Sequence, residues 1–123
     1  MRKKVLLVGW HPDVVDFEKW PELTSEKLNQ GFETERSRSN DLGIDARWQL
    51  IRDAETGARE MTDELGNETY DVVLIGAGVR KDDDHFLTFG TLVNVIHEHA
   101  PRARIAFNTN PSDAADAIQR WIS

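Results

Sequence analysis

The chain has 123 residues, of which 39% are apolar and 30% charged, and its 15 Lys and Arg against 22 Asp and Glu give a formal net charge of −7. This length and composition predict one soluble domain, residues 1–123, that buries its core without disulfides or a structural metal. The acidic balance disfavours nucleic acid and anionic membranes as partners, and the absence of cysteine excludes disulfides, thiolate nucleophiles and cysteine-ligated zinc.

The first residues combine a basic start with a short apolar run. Arg2, Lys3 and Lys4 precede Val-Leu-Leu-Val at residues 5–8, and the run ends in "GWHPD". It is too short for the apolar region of a secretion signal, so it predicts a first β-strand. No stretch approaches the roughly 20 apolar residues of a membrane span, and a cytoplasmic location is expected.

Strand-like and helix-like segments then alternate along the chain. Residues 5–9 form an uninterrupted apolar strand, and after a long loop a helix is predicted from Thr24 or Ser25 as N-cap to Gly43 as its stop. Ile44–Ile51 alternates apolar and polar residues, which is typical of a strand with one exposed face.

The alternation continues in the second half of the chain. The predicted segments are, in order, a helix over residues 55–66, an apolar strand over 70–76, a core helix over 84–99 and a strand over 103–109. A last helix is predicted with Asn110 as its N-cap, Pro111 in its first turn and Asp113 at the third position.

This alternation predicts a three-layer α/β domain with a four-stranded parallel sheet. The strands around Val5 and Val72 are apolar throughout and belong in the sheet interior, whereas the alternating strand around Trp48 belongs at an edge. The order 2-1-3-4, which is flavodoxin-like or Rossmann-like, meets both conditions. The dinucleotide-fold order 3-2-1-4 would bury the alternating strand.

In such sheets a ligand binds beyond the carboxyl ends of the strands, at the switch point between strands 1 and 3. Strands 1, 3 and 4 end there in residues that suit a small polar or anionic metabolite. The predicted binding residues are Gly9, Trp10, Gly76, Gly78, Arg80, Asn108 and Asn110.

The stretch "GAGVRKDDDHF" does not predict a phosphate loop. Lys81 stands where the dinucleotide fingerprint needs its third glycine, and three acids, Asp82 to Asp84, follow at the predicted helix start. Acids there favour the helix dipole and repel phosphate, so a glycine turn with an acidic cap is the simpler interpretation. Consecutive acids point in different directions, so no metal site is predicted, and no cofactor is indicated. Arg80 could still hold an anion.

His11 is the best candidate for acid–base chemistry because it follows the first strand, with Asp13 as a possible orienting group. The alternative is a structural histidine in a His-Pro turn. No pattern of a nucleophile and its base is present, so the sequence does not name a reaction.

The connection over residues 10–23 is longer than usual after a strand of a parallel sheet. It contains Val14, Val15, Phe17 and Trp20 among acids. These apolar residues predict either a flap over the ligand crevice or a cover for the sheet edge or a subunit contact.

The topology resembles a receiver domain, but the paired acids and the phosphoacceptor Asp of that family are absent from the strand ends. The segments "PDVVDF", "WPELT", "YDVVLIGAGVR", "HFLTFGTLVNVIHEHAP" and "RIAFNTNP" resemble a widespread family of small bacterial α/β proteins of unassigned function, with receiver-like or flavodoxin-like topology. This resemblance covers most of the chain and implies the fold but no activity.

Two functions are therefore expected. The first is a small-molecule pocket at the ends of strands 1, 3 and 4. The alternative is a non-catalytic, receiver-like interaction module that forms homodimers through the open edge of strand 4 and Trp121 on the last helix.

Overall fold

The computed structural model describes residues 2–110 and 113–122. These residues form four β-strands and five α-helices, which are β1 (Lys3–Trp10), α1 (Ser25–Asp41), β2 (Ile44–Ile51), α2 (Ala54–Asn67), β3 (Val72–Ile75), α3 (Ala77–Arg80), α4 (Phe86–His99), β4 (Arg104–Phe107) and α5 (Ala114–Gln119). None of the helices in this described part is both long and apolar enough to cross a membrane.

The sheet is parallel throughout, and its strand order is β2-β1-β3-β4, which confirms the predicted α/β fold and the 2-1-3-4 order. Val5 of β1 pairs with Ala46 on one side and with Val72 on the other. β3 is buried along its whole length, whereas Arg47 on β2 is exposed. The two apolar strands lie inside because helices cover both of their faces.

Two separate apolar clusters hold the helices on the two faces of the sheet. On one face α2 and α4 pack against Leu6, Val8 and Val73. On the other face α5 packs against Val5 and Leu7, and α1 contacts β2 there. Adjacent residues of one strand thus enter different clusters, because side chains alternate across a sheet.

The predicted boundaries of α1 are confirmed by its capping contacts. The Thr24 hydroxyl accepts a hydrogen bond from the Lys27 amide at 3.1 Å. Gly43 has a φ of +79°, the left-handed conformation that favours glycine just beyond a helix end.

The segment after β3 differs from the predicted glycine turn. Ala77–Arg80 forms one turn of helix, and Gly76 keeps an ordinary φ of −65°. A side chain at Gly76 would begin 3.1 Å from the Val8 carbonyl oxygen, so glycine is needed here for close packing against β1.

The start of the last helix was also predicted wrongly. α5 begins at Ala114, and the Asp113 carboxylate accepts hydrogen bonds from the amides of Thr109 and Asn110. The carboxylate of Asp113 can accept from both amides of the preceding turn. With Asn110 as the N-cap these two amides would have lacked this acceptor. The predicted position of Pro111 lies outside the described residues.

Candidate functional site

The side chain of Trp10 reaches from the end of β1 to the segment that follows β3. Its indole Nε1 donates a hydrogen bond to the Gly78 carbonyl at 3.1 Å. The indole also meets the His85 ring edge-on, with 5.1 Å between the ring centroids. Gly9 is buried beneath Trp48, whose ring lies 3.1 Å from where a Cβ would stand. Trp10, a predicted binding residue, thus contacts Gly78 and His85 at the switch point.

The ends of β3 and β4 are joined by Asn108, which is buried. Its side-chain oxygen accepts from the Ala77 amide at 2.8 Å, and its side-chain nitrogen donates to the Asn110 carbonyl at 2.9 Å. The Arg80 guanidinium donates to the Asn108 carbonyl at 2.7 Å. These residues do come together as predicted, and most of their polar atoms bind one another, although the buried Arg80 Nε has no hydrogen-bond partner among the described residues. The contacts therefore do not support a pocket over β1, β3 and β4.

The acidic segment after α3 is tied to the long loop. Asp82 caps the following turn by accepting from the Asp84 amide, and it lies 2.9 Å from the His85 ring nitrogen. Lys19 of the loop reaches Asp84 at 2.8 Å and Asp82 at 3.6 Å. The hydrogen bond to Asp84 raises the pKa of Lys19, and the same bond lowers the pKa of Asp84. Asp82 thus caps a short 3-10 turn over Asp83–His85, whereas the core helix α4 begins two residues later than predicted, at Phe86, without a side-chain cap. The loop folds back toward the switch point.

The apolar residues of this loop divide into two groups. Val15 and Phe17 are half-buried, whereas Val14 and Trp20 are 41% and 48% exposed. The contact of Lys19 with Asp84 agrees with the prediction of a flap over the switch point. The exposure of Val14 and Trp20 agrees with the alternative, a subunit contact, so both roles of the loop stay predictions.

A second polar cluster lies at the ends of β1 and β2. His11 Nε2 is 3.1 Å from the Arg52 guanidinium nitrogen Nη2, and the same nitrogen is 3.3 Å from the Asp13 carboxylate. The Asp13 amide donates to His11 Nδ1 at 3.1 Å, which closes a short 3-10 turn over Pro12–Val14. All three side chains are accessible, with exposed fractions of 28% for His11, 51% for Arg52 and 70% for Asp13.

Two donors approach the His11 ring, the Asp13 amide at Nδ1 and the Arg52 guanidinium at Nε2. A neutral imidazole has only one accepting nitrogen, so these two donors compete for it. Asp13 orients the ring through its amide, whereas its carboxylate stands 3.5 Å from Nδ1.

Sequence reasoning missed Arg52. It follows Ile51, the last residue of β2, and so lies at the same sheet edge as His11. The ligand site was predicted from the residues at the carboxyl ends of strands 1, 3 and 4. The carboxyl end of strand 2 lies at the same side of the sheet, but strand 2 was considered only as an edge strand.

Two shallow depressions of the surface lie elsewhere, on the outer faces of α4 and α1. Neither includes a residue from the carboxyl ends of the strands. Within the described ranges 2–110 and 113–122, no group of three His, Asp or Glu side chains is placed to hold a metal ion.

Comparison with protein-family models and with curated proteins found no match to this chain. The resemblance to a bacterial family, based on the segments quoted above, therefore stays a prediction.

Proposed function

We propose that this protein binds a small anionic metabolite at the carboxyl ends of β1 and β2, with His11 and Arg52 as its donors. The observation that supports this is the accessible Arg52 guanidinium, a permanent cation and donor, whose Nη2 stands 3.1 Å from His11 Nε2. An oxyanion, either a carboxylate or a phosphate, can accept from the guanidinium, and from the imidazole when the ring carries a proton on Nε2.

Arg52 favours an anion over a neutral ligand because its guanidinium keeps a positive charge. The start of α2 behind it is already capped by the Asp53 carboxylate, which accepts from the Thr56 amide at 2.7 Å. The Asp13 carboxylate lies 3.3 Å from the guanidinium and acts as an internal acceptor. A ligand would displace this exposed carboxylate, which is free to swing into water.

The proposed ligand is of the predicted class, a small anionic metabolite, but its site lies at the ends of β1 and β2 instead of β1, β3 and β4. Trp10 and Arg80 are engaged with the protein backbone, whereas His11 and Arg52 remain accessible to solvent. His11 keeps its predicted place in the site, with Nε2 as the atom that faces the ligand.

Thermal unfolding with malonate and with inorganic phosphate tests the proposal, with sodium chloride at matched ionic strength as reference. At ten times its dissociation constant a ligand stabilises the folded state by about 1.4 kcal/mol. Arg52→Gln is expected to abolish that stabilisation. His11→Asn should also abolish it while keeping the turn, because the asparagine oxygen can accept from the Asp13 amide.

Arg59→Gln is the matched control, since Arg59 is an exposed arginine of α2 that has no contact with His11 or Asp13 among the hydrogen bonds and ion pairs of the described residues. It should leave the stabilisation unchanged. Asp13→Asn should strengthen binding because it removes the competing carboxylate and keeps the backbone amide. A stabilisation that survives in Arg52→Gln, or none with either anion, would contradict the proposal.

A second candidate is a non-catalytic interaction module that forms homodimers. The observation that favours it is the exposure of two large apolar side chains, Phe107 on the outer strand at 38% and Trp121 at 50%. Trp121 was predicted on the last helix, but it lies in the turn after α5, which ends at Gln119. If this surface pairs, Trp121→Ser should lower the concentration-dependent dimer fraction in analytical ultracentrifugation. An unchanged fraction would exclude Trp121 from the contact.

A further inference from the structure

A negative charge stands directly beside the cation of the proposed anion site. Asp13 Oδ2 lies 3.3 Å from Arg52 Nη2 and 3.5 Å from His11 Nδ1. Both charged side chains are accessible to solvent, with Arg52 51% and Asp13 70% exposed. A ligand that reaches the Arg52 guanidinium therefore meets a carboxylate at the same place.

Backbone contacts fix the two segments from which these side chains extend. The His11 amide donates to the carbonyl of Ile51, the residue before Arg52, at 2.8 Å. The Asp13 amide donates to His11 Nδ1 at 3.1 Å, and Pro12 between them is buried. Because the two segments are bonded to each other, Asp13 and Arg52 stay neighbours when a ligand enters.

The charges of this pair match a ligand that carries both signs. Arg52 contributes one positive charge and Asp13 one negative charge, so the pair as a whole is neutral. A simple anion gains the attraction of Arg52, but it is repelled by Asp13 and by a chain of net charge −7. A zwitterion has no net charge and can satisfy both side chains.

Asp13 is a more suitable acceptor for a ligand than the neighbouring acid, Asp53. The Asp53 carboxylate accepts from the Thr56 amide at 2.7 Å and from the Thr56 hydroxyl at 2.8 Å, as the cap of α2. Within the part of the chain that the structure describes, the polar contacts of the Asp13 carboxylate are with the side chains of Arg52 and His11. An exposed ion pair contributes little to stability, so Asp13 can leave the guanidinium at small cost.

We propose that the metabolite bound at the ends of β1 and β2 is an α-amino acid. This inference rests on the proposed anion site and specifies its ligand. The ligand carboxylate accepts from the Arg52 guanidinium, and its ammonium group donates to the displaced Asp13 carboxylate. The two ligand groups are joined through one carbon, so they are neighbours in the same way as the two side chains. Asp13 is then the residue that determines specificity.

Three small molecules test this inference by NMR titration of the Arg52 guanidinium and His11 ring signals. L-alanine carries both groups, propionate lacks the ammonium group, and 4-aminobutyrate separates the two groups by three carbons. L-alanine should bind about two- to fivefold more tightly than propionate, the contribution of one exposed ion pair. The longer 4-aminobutyrate should bind no more tightly than propionate.

Asp13→Asn should remove the preference for L-alanine over propionate, because the ammonium group loses its charged acceptor. The same variant should bind malonate more tightly than the wild type does, since the competing carboxylate is gone. A loss of folding would not shift the two affinities in opposite directions. Asp63→Asn, at an exposed aspartate of α2, is the matched control and should keep the preference.

Equal affinities of the wild type for L-alanine and propionate overturn this inference, and so does a preference that survives in Asp13→Asn. If malonate then still binds and its binding is lost in Arg52→Gln, the anion site stands and only its ligand class is wrong. A protein that responds to none of these carboxylates overturns both the inference and the proposed function.

Discussion

Asn108 at the end of β4 caps the first turn of α3, since its side-chain oxygen accepts from the Ala77 amide at 2.8 Å. The same residue accepts Arg80 on its backbone carbonyl at 2.7 Å. One buried side chain thus joins the last strand of the sheet to the helix that follows β3.

Asn108→Ala is expected to lower the free energy of unfolding by about 2–3 kcal/mol, because the buried Ala77 amide would lose its acceptor. Urea unfolding measures this. Asn29→Ala, at an exposed position of α1, is the control and should cost nothing. A loss below about 0.5 kcal/mol for Asn108→Ala would show that the bond contributes little.

Gly76→Ala should be destabilising by about 1–3 kcal/mol, because the new methyl group would stand 3.1 Å from the Val8 carbonyl oxygen and push β3 from β1. The φ of Gly76 is ordinary, so the cost would arise from packing alone. Gly31→Ala in α1 meets no atom within 4 Å and should be stabilising by about 0.5–1 kcal/mol. Equal effects of the two substitutions would contradict this account.

Trp10→Phe should cost about 1 kcal/mol, since the ring stays over the switch point but the donor to the Gly78 carbonyl is lost. Trp20→Phe is a suitable reference because Trp20 is 48% exposed on the loop. Urea midpoints of the two variants would be compared. A Trp10→Phe protein as stable as the wild type would mean that the hydrogen bond from the indole to the Gly78 carbonyl contributes nothing to stability.

Glu35 is buried between α1 and α5, and one of its carboxylate oxygens has no hydrogen-bond partner among the described residues. Burial raises its pKa, and this outweighs the opposing effects of Arg38 and the Ala115 amide. Because the folded pKa lies above the unfolded one, this group favours folding below its ordinary pKa of 4.5 and loses that contribution as pH rises through the folded pKa.

Glu35→Gln should therefore be more stable than the wild type at neutral pH, and this difference should vanish below the ordinary pKa of the carboxyl group. Urea unfolding at both pH values measures it. Glu33→Gln is the control, and it should be less stable than the wild type at neutral pH, because the hydrogen bond from Arg36 lowers the pKa of Glu33. A Glu35→Gln protein that is less stable at neutral pH would show that the carboxylate is needed.

The strand order could be predicted because a strand that is buried on both faces is apolar at consecutive positions, whereas an edge strand alternates apolar and polar residues. β1 and β3 are apolar at every position around Val5 and Val72, and β2 alternates, so the interior and edge strands were distinguishable. The caps Thr24 and Gly43 were equally predictable, since each uses a contact within a few residues.

The site was harder to predict because it depends on side-chain directions between distant segments. Trp10 turns toward the backbone of Gly78, and Arg80 turns toward the backbone of Asn108, which no local pattern indicates. The α3 turn forms at Gly76-Ala77-Gly78 in spite of weak helix propensity, because Asn108 caps it from 31 residues away.

The response of the His11 ring to an added anion tests the central claim most directly. Nitrogen-15 NMR reports both ring nitrogens, and His11→Asn identifies their signals. We expect a saturable shift of Nε2 as malonate is added, absent in Arg52→Gln. A ring signal that malonate does not move, or one that moves equally in Arg52→Gln, would contradict the anion site.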